Sequence, residues 1–132
     1  MQDLGILVVD DHPVYREALS EKLRSRFESG ALKVAVASSA GEGLELVQQL
    51  PARRWVVVLD ILMPGLSGLA GIRAFKSQAQ VDHVVAISGL EEKIWEARSL
   101  GAGAALFISK NSTSDAIARR LAPLLPVPGA EA

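Results

Sequence analysis

Trp55-Val56-Val57-Val58-Leu59-Asp60 is an unbroken apolar run that stops on a carboxylate. No polar residue alternates with the apolar ones, so the stretch does not read as a strand with one wet face. It reads as a strand buried on both sides, as in a parallel sheet covered by helices. Four more runs share this character: Ile6 to Val9, Val34 to Ala37, Val84 to Ile87 and Ala105 to Ile108. Helical spacing fills the intervals. Tyr15, Ala18, Leu19 and Leu23 form one stripe, Ala40, Leu44 and Val47 a second, and Ile72, Phe75 and Ala79 a third. Ile94, Ala97 and Leu100 give a weaker fourth after Glu91 and Glu92, which suit a first helical turn. Ile117, Leu121, Leu124 and Leu125 close the series. Strand and helix alternate five times, which predicts an α/β fold: a doubly wound, five-stranded parallel sheet with right-handed crossovers.

The 132 residues suit one domain with a core of its own. Residues 1–125 form that unit, and the Pro-rich stretch 126–132 reads as a tail or linker. Cysteine is absent, the N-terminus lacks a signal-peptide pattern, and no apolar run approaches the length of a membrane span. A cytoplasmic location away from the membrane is expected. With 14 basic and 15 acidic residues and no basic stripe, the chain offers duplex DNA no phosphate-neutralising surface.

In an open parallel sheet, ligands bind beyond the carboxyl ends of the strands, so the residues that follow each apolar run are the informative ones. The first run ends in Asp10-Asp11, the third in Asp60, the fourth in Ser88, and the fifth, after Ser109, in Lys110. Each has a plainer reading taken singly. Asp10-Asp11 ahead of Pro13 suits a helix cap, Asp60 a loop start, Ser88 a turn, and Lys110 a solvated charge. Together they are harder to dismiss, because three carboxylates in one cleft repel one another unless a cation and an ammonium compensate them. Oxygen ligands alone suit Mg²⁺. His12 and His83 stand at a helix start and a strand start without partner spacing, and both read as surface residues. A carboxylate beside Mg²⁺ and a lysine is equipped to attack a phosphoryl group and form an aspartyl phosphate.

Four stretches then carry a family resemblance: Val8-Val9-Asp10-Asp11-His12-Pro13, Val58-Leu59-Asp60-Ile61-Leu62-Met63-Pro64-Gly65, Ala86-Ile87-Ser88 and Phe107-Ile108-Ser109-Lys110. They resemble the signature stretches of response-regulator receiver domains, which have a (βα)5 flavodoxin-like fold. Asp-Asp-His-Pro followed by Tyr15-Arg16-Glu17-Ala18-Leu19 is similar to the subclass that carries a LuxR-type helix-turn-helix output domain. The resemblance implies that Asp60 accepts phosphate from a phosphohistidine on a sensor histidine kinase or phosphotransfer protein. It implies Mg²⁺ ligation by Asp11, Asp60 and the backbone carbonyl of Leu62, with Asp10 acting through water. Lys110 would pair with the phosphate, and Ser88 with Phe107 would form the switch, Phe107 becoming buried on phosphorylation. Leu62 and Leu90 would flank the path of attacking water and set the lifetime of the phosphorylated state. A homodimer would form through the fourth helix, fifth strand and fifth helix, the apolar side of the fifth helix being either partly exposed or wholly packed on the sheet. Gly89 replaces the usual Ala after the hydroxyl residue, Leu106 replaces the usual Gly before the aromatic, and Asn111 stands where many members have Pro.

Three other functions compete. A phosphatase of the haloacid-dehalogenase type needs a second Asp two residues after its nucleophile, where this chain has Leu62. A degenerate receiver, serving as a phosphorylation-independent docking module, would have lost acidic ligands or the lysine. A nucleotide-binding module would show a P-loop or a Gly-rich fingerprint after Ile6 to Val9. The sequence therefore favours a non-enzymatic signalling switch.

Overall fold

The computed structural model describes residues 3–50, 53–63, 68–89 and 93–125. Leu90, Glu91, Glu92, the Pro64-Gly65 turn and the 126–132 stretch lie outside the described residues. The elements alternate along the chain: β1 Asp3–Val9, α1 Pro13–Phe27, β2 Leu32–Ala37, α2 Ala40–Gln49, β3 Arg53–Asp60, α3 Gly68–Lys76, β4 Val81–Ser88, α4 Lys93–Gly101, β5 Leu106–Ser109 and α5 Ser114–Leu121. The strands form one parallel sheet in the order β2-β1-β3-β4-β5. This is the doubly wound fold that the five apolar runs predict.

The pleat sends successive side chains of each strand to opposite faces, and both faces are dry. Leu7, Val9, Val57, Leu59, Val84 and Ala86 enter one core with Ala40 and Val47 of α2 and Ile72 and Phe75 of α3. Ile6, Val8, Val56, Val58, Val85 and Ile87 enter the other with Leu19 and Leu23 of α1 and Ile117, Ala118 and Leu121 of α5. Local signals set the helix ends. Pro13 stands in the first turn of α1, where its missing N–H costs nothing. Ser39 and Thr113 cap α2 and α5, accepting from the N–H groups of Glu42 and Ala116 at 3.1 Å. Gly5 is set by close approach, since a Cβ there would stand 2.5 Å from the Trp55 ring.

Three helical stripes differ from the expectation. Ala18 faces solvent while Ser20 is buried in its place. Ala79 lies beyond the end of α3 at Lys76. On α4 the stripe Ile94, Ala97 and Leu100 faces outward, with Ile94 49% and Leu100 45% exposed. The inward face carries half-buried Trp95 and fully buried Ser99 instead, and the polar Ser99 disguises it as a surface face. On α5, Ile117 and Leu121 are buried against the sheet with Leu125, and the chain passes into a short 3₁₀ turn, Ala122–Leu124, that contains Pro123. Of the two readings of this apolar side, partly exposed or packed on the sheet, the structure shows the packed one, with Leu124 partly buried.

Candidate functional site

The strand order places the site. β1 is followed by β2 on one side and flanked by β3 on the other, so the connections after β1 and β3 part and leave a crevice at their carboxyl ends. Ladder bonding continues one residue past the strands. Asp10 N–H donates to Ala37 O at 3.1 Å, Ile61 N–H to Ile87 O at 3.0 Å, and Lys110 N–H to Ser88 O at 2.8 Å. The backbone at Asp10, Asp60, Ser88 and Lys110 is thus held by the sheet.

Asp10 and Asp60 are fully buried, and Lys110 reaches both. Its Nζ lies 2.8 Å from Asp10 Oδ2 and 2.9 Å from Asp60 Oδ2. Asp60 Oδ1 accepts the Leu62 N–H at 2.9 Å. Burial raises the Asp60 pKa above the ordinary carboxylate value, and the Leu62 N–H and Lys110 only partly oppose this. Burial pulls Lys110 down, but its pairing with Asp10 and Asp60 more than offsets that and leaves it raised. Asp11 Oδ1 is shielded from solvent and accepts no hydrogen bond among the described residues. An unmet buried acceptor of this kind costs about 1–3 kcal/mol or more, and a cation would relieve it. Neither carboxylate caps α1 in the ordinary way; the cap position is His12, whose own N–H donates to Asp10 Oδ1 at 2.8 Å.

Ser88 is fully buried at the end of β4, paired in register with Ser109. Phe107 is already buried, in the cluster that includes Ile61, Met63 and Ala86, so phosphorylation has no exposed ring to draw in. Its neighbour Leu106 packs with the opposite core, because alternation along β5 turns it to the other face. Leu106 therefore does not compete with the Phe107 ring for room. A Cβ at Gly89 would meet nothing within 4 Å, so the glycine is not required by packing. The Leu62 side chain is 48% exposed beside Asp60.

Three residues join the site that the strand-end rule did not select. His12, read from sequence as a surface residue, turns inward at its ring nitrogen although 64% of its side chain is exposed. Nδ1 stands 3.1 Å from Asp10 Oδ1, 3.3 Å from Asp11 Oδ1 and 3.7 Å from Asp60 Oδ2. Arg16 Nη1 donates to Asp10 O at 2.9 Å and braces the turn after β1. Tyr15 lies under Lys110, whose Nζ is 4.5 Å from the ring centroid. Burial, then the charges of Asp10 and Asp60, push the Tyr15 phenol up to about 12. All three come from the loop and first turns that follow Asp10-Asp11, and that adjacency was the available sequence signal.

Asp10, Asp11, His12 and Asp60 each offer one donor atom, and these atoms lie within 4.8 Å of one another. The oxygen-rich set and the unmet Asp11 oxygen fit a hard divalent cation. A sheet in this order with this cluster at its switch point defines a flavodoxin-like domain whose crevice gathers carboxylates and a lysine. Comparison with known proteins narrows the class. The family model for the response regulator receiver domain matches residues 6–122. The chain is 34% identical over 109 residues to the response regulator GacA of Pseudomonas protegens, covering 83% of this chain and 49% of that protein. It is 38% identical over 108 residues to protein-glutamate methylesterase/protein-glutamine glutaminase 5 of Myxococcus xanthus, covering 81% of this chain and 30% of that one. The signal receiver domain of the response regulator NarL from Mycobacterium tuberculosis superposes with a TM-score of 0.73 at 28% identity, covering 94% of this chain and 97% of that one. The chain belongs to the response-regulator receiver domains, the signalling modules of two-component systems. It spans about half the length of GacA and less than a third of the methylesterase. Receiver domains in general bind Mg²⁺ at their acidic pocket and interact with histidine kinases or phosphotransfer proteins. No described helix is long and apolar enough to cross a membrane.

Proposed function

We propose that Asp60 is the phosphoacceptor of this receiver domain and that its phosphorylation is the switch. The observation that carries the reading is the placement of Asp60: fully buried, hydrogen-bonded by Leu62 N–H, and 2.9 Å from the Lys110 ammonium beside two further carboxylates. An Asp60 oxygen attacks the phosphorus of a phosphohistidine, the N–P bond breaks, and the imidazole leaves with its electron pair. Asp11, Asp60 and the Leu62 carbonyl would hold Mg²⁺, with Asp10 acting through water, and the bound ion would supply charge neutralisation to the phosphoryl oxygens. Lys110 moves its hydrogen bond from the free carboxylate to the phosphoryl group, keeping a cation beside the added charge. Ser88 supplies a hydroxyl to the same group.

The output follows from what Ser88 and Phe107 share. Ser88 ends β4 and Phe107 lies in the neighbouring strand β5, in register with Ala86, so drawing the Ser88 loop toward the phosphate changes the packing around an aromatic ring already in the core. The surface formed by α4, β5 and α5 then changes, and we assign a homodimer to it, with Ile94, Ala97 and Leu100 as its apolar part. Residues 1–125 act as the receiver unit in the cytoplasm, with 126–132 as a linker. The chain turns over no external substrate, because Leu62 has no proton to exchange at the position where a phosphatase needs an acid. It does not bind nucleic acid itself.

Intact-mass analysis after incubation with Mg²⁺ and acetyl phosphate tests the reading. A labile phosphoryl adduct on the native chain and none on Asp60→Asn is expected. No adduct on either would favour a phosphorylation-independent docking module.

A further inference from the structure

We propose that His12 is a ligand of the metal held in the acidic pocket, giving this receiver a preference for imidazole-binding divalent metals such as Ni²⁺ over Mg²⁺. The inference rests on the pocket holding a cation, as set out above, and adds a donor to it.

Distances carry the argument. Around an octahedral ion with bonds of about 2.1 Å, adjacent donors are about 3.0 Å apart. His12 Nδ1 stands 3.1, 3.3 and 3.7 Å from one oxygen of Asp10, Asp11 and Asp60 in turn. The 3.3 and 3.7 Å spacings suit a donor sharing a shell with the Asp11 and Asp60 oxygens, while the 3.1 Å approach to Asp10, which acts through water, is a hydrogen bond. A ring nitrogen sitting at the ion's own position would lie about 1 Å closer to each of them.

Charge points the same way. Lys110 offsets one of the three carboxylates, and a divalent ion offsets the other two. The pocket then has no excess charge, and a further donor that adds none is the kind it accommodates. Imidazole binds metal as a neutral ligand. Its backbone is already fixed for this, because His12 N–H donates to Asp10 Oδ1 at 2.8 Å. The exposed remainder of the ring leaves the second nitrogen to solvent. Imidazole favours late first-row metals and adds little for Mg²⁺, which prefers oxygen.

Isothermal titration of the untagged chain with Ni²⁺ and separately with Mg²⁺ tests this, using the native protein, His12→Gln and Asp11→Asn. His12→Gln should weaken Ni²⁺ binding by at least about tenfold while changing Mg²⁺ binding less than about threefold. The ratio matters, since Ni²⁺ binds most sites more tightly than Mg²⁺ whatever His12 does. Equal losses for both metals, no loss for either, or tighter binding of both would overturn the assignment. Tighter binding of both would make His12 an occupant that the metal displaces. If Asp11→Asn leaves both metals bound as in the native chain, the acidic pocket itself is not the metal site, and the broader reading fails with this one.

Discussion

Lys110 Nζ lies 2.9 Å from Asp60 Oδ2, tying the end of β5 to the end of β3 across the end of β4. The same ammonium is 2.8 Å from Asp10 Oδ2, so one cation serves two fully buried carboxylates. Lys110→Met would leave both without it. Removing one partner of a buried ionic group costs about 3–5 kcal/mol, because the remaining charge keeps its desolvation penalty. Urea denaturation at neutral pH without divalent metal should show a loss of that order. Added Mg²⁺ should recover part of it, and a variant as stable as the native chain would mean that the carboxylates do not depend on Lys110.

Asp60→Asn should act in the opposite direction on the metal-free domain while abolishing phosphorylation. The folded-state pKa of Asp60 is raised from its ordinary 3.8, chiefly by burial. A raised pKa means that the native state holds the proton more tightly than the unfolded chain. The resulting stability is fully present below the ordinary value and is lost as pH rises through the raised one. Asn keeps a hydrogen-bonding oxygen without the charge. The difference in urea midpoint between Asp60→Asn and the native chain should therefore grow as pH rises across that window, then level off. A difference that is flat with pH, or that shrinks, would contradict the burial argument.

Tyr15 gives a direct readout of the same field, because it is the single tyrosine in the chain. Its phenol is pushed up to about 12, first by burial and then by Asp10 and Asp60. Tyrosinate absorbance should appear near 12 in the folded protein and near the ordinary 10.0 in denaturant. Between those two values the unfolded chain ionises and the native state does not, so stability falls with rising pH there. Asp10→Asn should lower the folded value only in part, since burial is the larger cause. An unshifted midpoint in the native chain would place the phenol in solvent.

The strand centres and the acidic cluster were legible for the same reason. A strand buried on both faces is apolar at every position, and the first polar residue after it marks the sheet edge where ligands bind, as at Asp10, Asp60 and Ser88. Strand starts were harder to read, because Asp3 and Leu4 of β1 are partly exposed and break the apolar signal. On α4, periodicity alone could not choose between a stripe of Ile94, Ala97 and Leu100 and a face of Trp95 and Ser99. Packing chose the second, since the large Trp95 ring joins the core while Ser99 fits in behind it. His12, Tyr15 and Arg16 escaped because their side chains fold back from a loop and a helix onto the strand ends. Nothing in strand periodicity indexes that relation.

The lifetime of the phosphorylated state should depend on Leu62. An aspartyl phosphate is lost when water attacks phosphorus in line, and a side chain that orients that water speeds the loss. Leu62 is tied to Asp60 through its own N–H on Asp60 Oδ1. Its side chain is only half buried, which leaves it free of the core packing that would otherwise fix it. It cannot hydrogen-bond to water, and we propose that it covers part of the approach. Leu62→Asn would replace a shield with an amide that both donates and accepts, at a position whose exposure makes the substitution cheap for folding. Dephosphorylation, followed by intact mass after the donor is removed, should become severalfold faster in Leu62→Asn with little change in the urea midpoint. Unchanged decay would show that water reaches phosphorus by a path that Leu62 does not guard.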